Sequence, residues 1–226
     1  MKLNLIEEFL LLALDNKKGK FLTDSLAINH GLAGASLMKL TIAGRVEVKD
    51  KRVYVVDNTP TGIDYLDKIL EYIDSSGKHR KVRYWVHRIA SKWKRFRSEL
   101  IDGLIDRGIL TKKRRKFLGL FPYSVYPTVD PDPENELRDR LLKIINGEKS
   151  MDPRSLMLLS LMEAVKLTRV LFHSRAKSRE GRKKAKELTK EFETTPLIHS
   201  TIKEVCSVVI SASTSAAIRG VNGSSD

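Results

Sequence analysis

The sequence predicts a mainly α fold: a helical bundle around a buried central helix, decorated with two short β-hairpins. Three observations predict it. Apolar residues recur at helical spacing through most of the chain. Glycines stand where helices must stop, at Gly44 and Gly108, each followed by short apolar, β-rich runs. One stretch, residues 156–165, is apolar almost all round, as a helix in the middle of a bundle is. Residues 1–218 read as one domain, and 219–226 as a flexible Gly/Ser tail.

Taken in order, residues 4–15 form an amphipathic helix with Leu5, Phe9, Leu12 and Ala13 on one side, broken at Lys18-Gly19-Lys20. A second helix starts near Thr23, and a third covers 32–43, closed by Gly44. Val46-Glu47-Val48 and residues 53–56 flank Lys49-Asp50-Lys51-Arg52, a hairpin signature. After the turn cluster 58–62 a helix covers 63–73, breaks at Ser75-Ser76-Gly77 and resumes over 82–92. Trp93, Phe96, Leu100, Ile101, Leu104 and Ile105 continue the apolar face as far as Gly108. Ile109-Leu110 and residues 117–121 then read as the strands of a second hairpin. Its turn is Thr111 with the basic run Lys112, Lys113, Arg114, Arg115 and Lys116. The order helix–Gly–strand–turn–strand thus occurs twice, over 37–56 and 100–121. The proline-rich segment 127–133 is a connector, because proline lacks the amide donor that regular structure needs. A helix follows over 134–145. Asp152 before Pro153 marks the start of another, expected to run to Phe172. Residues 174–190 form a solvated basic helix, and Pro196 opens the last, ending near Ile218.

At 226 residues, 41% hydrophobic, the chain is long enough to bury a substantial core. Its formal charge of +14 is segregated: residues 78–117 carry a net +12 and residues 173–190 a net +6, leaving −4 for the rest. Segregated charge makes a directional field that attracts polyanions, either nucleic acid or an anionic membrane face. The single cysteine, Cys206, excludes an intrachain disulfide and sits in an apolar run as a small core residue. The N-terminus enters an amphipathic pattern containing Glu7 and Glu8, which predicts no secretory leader. The apolar stretches 156–172 and 205–218 fall short of a membrane span, the first through Glu163, Lys166 and Arg169, the second through its length and serines.

No enzymatic role and no cofactor are expected. The chain has no GxxxxGK[ST], GxSxG, HExxH or CxxC pattern, and His30, His79, His87, His173 and His199 are scattered. Asp64 and Asp67 are explained as acids favoured in a first helical turn. The basic groups carry more. Helical spacing puts Arg97 near the centre of an apolar arc beside Phe96, Leu100 and Ile101, where an arginine must be paired or reach an open end. Two readings stand: Arg97, with Lys94 one turn earlier, lines a shallow anion pocket that its planar fork suits, or it pairs with an acid from another helix. The basic hairpin turn is expected to be drawn to an anionic leaflet, while most of Leu118, Leu120 and Phe121 pack the hairpin onto the core. Trp85 and Trp93 read as core residues, with interfacial anchoring as the other use of such side chains.

Five blocks, GLAGASLMKLTIAGRVEV (31–48), PTGIDYLDKIL (60–70), LIDGLIDRGIL (100–110), LGLFPYSVYP (118–127) and DPRSLMLLSLMEA (152–164), resemble in order those of the Golgi phosphoprotein-3 family. The resemblance spans about residues 3–218 and implies a single, mostly helical domain whose buried central helix is residues 156–172. It implies further that a basic face binds phosphatidylinositol 4-phosphate, that a projecting hairpin contributes to membrane contact and self-association, and that tails of Golgi glycosyltransferases are clients. Of the family's lipid pocket, the two basic residues on the helix before the hairpin correspond to Lys94 and Arg97. The tryptophan position falls on Asp24 and a first arginine on Ala33, so anionic-membrane binding carries over further than phosphoinositide selectivity. The GLFPYSVYP form is closer to prokaryotic relatives.

The function expected is that of a non-catalytic peripheral protein on the cytoplasmic face of a membrane, the Golgi in a eukaryote. It would bind anionic phospholipid through Lys94, Arg97 and the Lys112–Lys116 hairpin. Two alternatives are open. A winged-helix-like nucleic-acid module would also read as helix then hairpin, although no exposed aromatic or Asn/Gln cluster suggests base readout. An adaptor that binds only protein, selecting acidic partners with its basic face, is the other.

Overall fold

The computed structural model describes residues 3–118, 120–172, 175–192 and 194–222; the side chains of 93–95, 117, 175–177 and 215–222 are outside the described set. The fold is mainly α with two two-stranded antiparallel hairpins. In order the elements are α1 (Leu5–Leu12), α2 (Ser25–Ile42), β1 (Val46–Lys49), β2 (Arg52–Val55), α3 (Asp64–Asp74), α4 (Val82–Asp106), β3 (Lys113–Phe117) and β4 (Phe121–Val125). Then follow α5 (Asp132–Ile145), α6 (Pro153–Ala164), a 3-10 turn (Thr168–Leu171), α7 (Arg175–Glu191) and α8 (Pro196–Asn222). The last helix extends past Ile218, and residues 223–226 of the expected tail lie outside the described residues.

The centre of the bundle is α2, which packs against α1, α3, α4, α6 and α8. Sequence spacing divides this element into two helices around Gly31, but it is one. The reason is packing rather than propensity. A β-carbon on Gly31 would stand 2.3 Å from Cζ of the Phe9 ring, and one on Gly34 would stand 2.7 Å from a Val205 methyl. The two glycines, with Ala27, Ala33 and Ala35, let α1 and α8 approach the helix axis closely, so the local cost of glycine is offset by tertiary contact. The helix expected to be central, α6, is indeed buried on almost every side, but it flanks α2 rather than replacing it as the hub.

That helix also ends earlier than expected. Lys166 adopts φ 60, the left-handed conformation. The Leu167 amide bonds the Met162 carbonyl at 2.7 Å, and the Lys166 amide bonds that of Glu163 at 3.0 Å. This is a Schellman closure made without glycine, and so without its usual sequence mark. At the other end Asp152 caps α6, accepting from the Ser155 amide at 3.0 Å and its hydroxyl at 2.6 Å.

The twice-repeated order of helix, glycine and hairpin has a common physical basis. Gly44 (φ 68) closes α2 and Gly108 (φ 72) closes α4. In each, the residue after glycine donates back into the helix: Arg45 to the Leu40 carbonyl at 2.9 Å, Ile109 to that of Leu104 at 3.0 Å. The chain therefore leaves both helices in the same direction relative to their axes. The first hairpin turns at Asp50 (φ 50) and Lys51 (φ 61), the two-residue turn with both centres left-handed. It is tied to the body through the Val53 amide on the Arg80 carbonyl (3.0 Å) and Ser200 Oγ on the Val48 carbonyl (3.2 Å). The base of the second hairpin is held by the Tyr126 amide on the Gly19 carbonyl (2.8 Å) and the Thr111 amide on the Pro127 carbonyl (3.0 Å). Beyond that base it projects.

Candidate anion-binding and membrane-facing site

The projecting hairpin departs from its sequence reading in register. The basic run is not the turn. Lys113, Arg114, Arg115 and Lys116 lie in β3 itself, paired with Val125, Ser124, Tyr123 and Pro122, and the strands end at the Phe117–Phe121 pair. Lys112 and all four strand cations are exposed. Such a strand is tolerated because no like charge lies opposite: each cation faces a neutral residue across the ladder. The misreading arises because strand spacing is legible only when one face is buried, and this strand covers no core.

Leu118 and Leu120 are each 76% exposed and Phe121 is 63% exposed, so these residues do not pack the hairpin onto the core. Three large apolar side chains at the end of a five-cation arm form one amphiphilic finger, apolar at the point and basic along the shaft. Single exposed leucines need no explanation, but a contiguous apolar tip on a projecting element marks an interaction surface.

Behind the finger, the loop from Gly19 into the start of α2 faces β4 across an open cleft of about 620 Å³. Gly19, at φ 64, lets the loop pass against the backbone of Tyr126 and Pro127, where a β-carbon would come within 2.3 Å. Lys20 Nζ stands 5.0 Å from the centre of the Tyr123 ring. Asp24 caps α2 by accepting from the Leu26 amide at 2.7 Å. The chain's own carboxylate thus occupies the place where that helix start would draw an external anion.

Arg97 lies beside this cleft. It is half-buried, donates from Nη1 to Asn29 Oδ1 at 3.2 Å, and stands 5.3 Å over the Phe21 ring, which itself lines the cleft. Among the described residues no carboxylate lies within ion-pair distance of it. The contacts shown are a neutral amide and an aromatic face, which orient the guanidinium without neutralising it. Lys94 occupies the turn of α4 before Arg97, and its side chain lies outside the described residues, as does that of Trp93. Trp85 is a core residue, 1% exposed, edge-on to Tyr72 and Tyr84. Ala33 is fully buried and adds no polar group.

Sequence spacing gave no sign of Asn29, Phe21 or Lys20 as partners at this site, because each comes from a segment distant in the chain. Nor did it bring together His30 and His87, whose ring nitrogens are 2.9 Å apart across the α2–α4 contact. The lone thiol, Cys206, is half-buried against the core, and burial pushes it up to about 12. Among the described residues no group of three or more His, Cys, Asp or Glu is placed to hold a metal ion. Among them too, no helix is long and apolar enough to cross a membrane.

Comparison with known proteins places this geometry in context. The profile of the family described as Golgi phosphoprotein 3 (GPP34) matches residues 5–205. A similar curated protein is vacuolar protein sorting-associated protein 74 of Schizosaccharomyces pombe, 29% identical over 169 residues. That match covers 65% of this chain and 49% of the relative, so the chain spans about half the length of the protein it resembles.

Proposed function

The chain belongs to the Golgi phosphoprotein 3 family, and from that premise we propose that it is a non-catalytic peripheral membrane protein that binds anionic phospholipid. The observation that carries this reading is the finger, an exposed apolar tip on an exposed basic strand. A basic strand alone would suit any polyanion. The tip adds what a nucleic acid does not reward and a bilayer does: apolar surface that gains on leaving water. Arg97 and Lys94 would take the headgroup phosphate beside the cleft, and Lys112, Lys113, Arg114, Arg115 and Lys116 would lie along the leaflet.

The cytoplasmic face of a membrane, the Golgi in a eukaryotic cell, is the proposed location. In family terms the lipid is phosphatidylinositol 4-phosphate. Here Asp24 places a carboxylate in a cleft otherwise lined by Lys20, Phe21 and Tyr123, and that negative charge favours a headgroup with a single phosphate over one with an added phosphomonoester. The sorting role in the relative's name supports membrane-protein tails as clients held by the same body.

Co-sedimentation tests the reading with neutral, phosphatidylglycerol-containing and phosphatidylinositol 4-phosphate-containing vesicles. Wild type is expected to pellet with both anionic kinds, and Lys94→Ala/Arg97→Ala and a variant neutralised at 112–116 to fail. Equal pelleting with neutral vesicles, or none with any, would overturn it.

A further inference from the structure

We propose that His87 is an additional, pH-dependent anion-binding residue on the same flank of α4, charged by a single proton that its pairing with His30 directs to its outward nitrogen; the proposal rests on the membrane reading above. The tautomers follow from the partners. His30 is 4% exposed, and its Nδ1 lies 2.8 Å from the Leu26 carbonyl oxygen. A carbonyl only accepts, so Nδ1 carries the hydrogen and Nε2 of the neutral ring holds a lone pair. That Nε2 is 2.9 Å from His87 Nδ1, which must therefore be the donor. The rings meet edge to face, with centroids 4.9 Å apart. Among the described residues one basic nitrogen of the pair is left uncommitted, His87 Nε2, on an exposed residue.

A proton added there makes an imidazolium and breaks neither hydrogen bond. The charge stays on His87, because moving the shared hydrogen across the 2.9 Å contact onto His30 Nε2 would place it on a buried ring. The pair thus accepts one proton, and the charge appears on the exposed ring. The helical period places positions 83, 87, 94 and 97 along one flank of α4. On the α2 side, His30 is the neighbour of Asn29, which orients Arg97. His87 therefore occupies the same seam as the proposed headgroup residues.

The groups acting on His87 are His30 from α2 and Arg83 from its own helix; among the described residues, α3, α8 and the first hairpin contribute no other. Partial burial, then His30, then Arg83, lowers its proton affinity below the ordinary histidine value. In the free protein these groups disfavour the charged ring. Lipid phosphates beside it reverse that preference, because they favour the charged ring. By reciprocity, whatever binding does for the proton, the proton does for binding.

The test is binding to vesicles of equal parts phosphatidylglycerol and phosphatidylcholine at about pH 7.5 and about pH 5.5, either side of the histidine range. Phosphatidylglycerol keeps its charge throughout. Wild type is expected to bind about fivefold more tightly at the lower pH, the share that one added cation contributes at an anionic surface. His87→Gln should give the same affinity at both pH values, and His87→Lys should reach the acid affinity of wild type already at the higher pH. Being exposed, position 87 tolerates both changes, which a thermal melt confirms. A wild-type profile that is flat, or one that His87→Gln leaves unchanged, overturns the proposal while leaving the membrane reading standing. No vesicle binding by wild type at either pH refutes that reading and this inference together.

Discussion

Replacing Leu118 and Leu120 by serine should separate the two halves of the finger. Burying a leucine side chain contributes roughly 1.5–3 kcal/mol. With each leucine 76% exposed in the free protein, most of that gain remains to be made on insertion. An interfacial depth realises about half of the full transfer, so the double change should cost roughly 2 kcal/mol of membrane affinity, about thirtyfold. The five cations, at about 1 kcal/mol each near the surface and less in salt, should be untouched. Vesicle flotation at low and at high salt reads both components. Wild type should keep residual binding at high salt, because the apolar part is not screened. The serine variant should bind weakly at low salt and not at all at high salt, with an unchanged melting temperature since the tip supports no core. A serine variant that keeps the wild-type salt profile would refute the assignment of the tip to the bilayer. A variant that instead loses a dimer in gel filtration would assign the tip to a second copy of the chain.

Two further outcomes test the scaffold that positions the site. Gly31→Ala should destabilise the protein by about 1–3 kcal/mol in a denaturant melt, because the new methyl meets a buried Phe9 ring that has no room to turn. Asp152→Ala should cost about 1 kcal/mol through loss of the α6 cap. Burial alone would raise the Asp152 carboxyl, but the Ser155 hydroxyl and amide, with Arg140 nearby, hold it below the usual value. Its contribution is therefore present above about pH 4 and is lost as pH falls through the depressed value, so wild type and variant should converge in stability in strong acid.

Much of the fold was legible because helices announce themselves by apolar spacing and by their ends. Asp152-Pro153, Pro196 and the glycines at 44 and 108 mark boundaries with residues whose backbone chemistry permits little else. What was not legible depended on neighbours distant in the chain. Gly31 breaks a helix by propensity and joins one by accommodating Phe9, and Lys166 stops a helix where no glycine warns of it. The candidate site divides the same way. The basic run and Arg97 stand out in sequence, but whether five cations make a turn or a strand is decided by register, and register is specified only by burial. The Asn29 contact, the Phe21 ring and the His30–His87 pair exist only once α2, α4 and the loop before α2 are assembled.

The central claim is that the finger's apolar tip enters an anionic bilayer, and a single-site probe addresses it directly. Leu120→Cys introduces an exposed thiol into a chain whose only other thiol, Cys206, is half-buried, with burial disfavouring its thiolate form. Labelled at that position with an environment-sensitive fluorophore, the protein should show a blue-shifted, brighter emission on phosphatidylglycerol vesicles and no change on neutral ones. Vesicle binding with the emission left at its aqueous value would contradict the account, placing the tip in water and leaving charge alone to hold the protein at the surface.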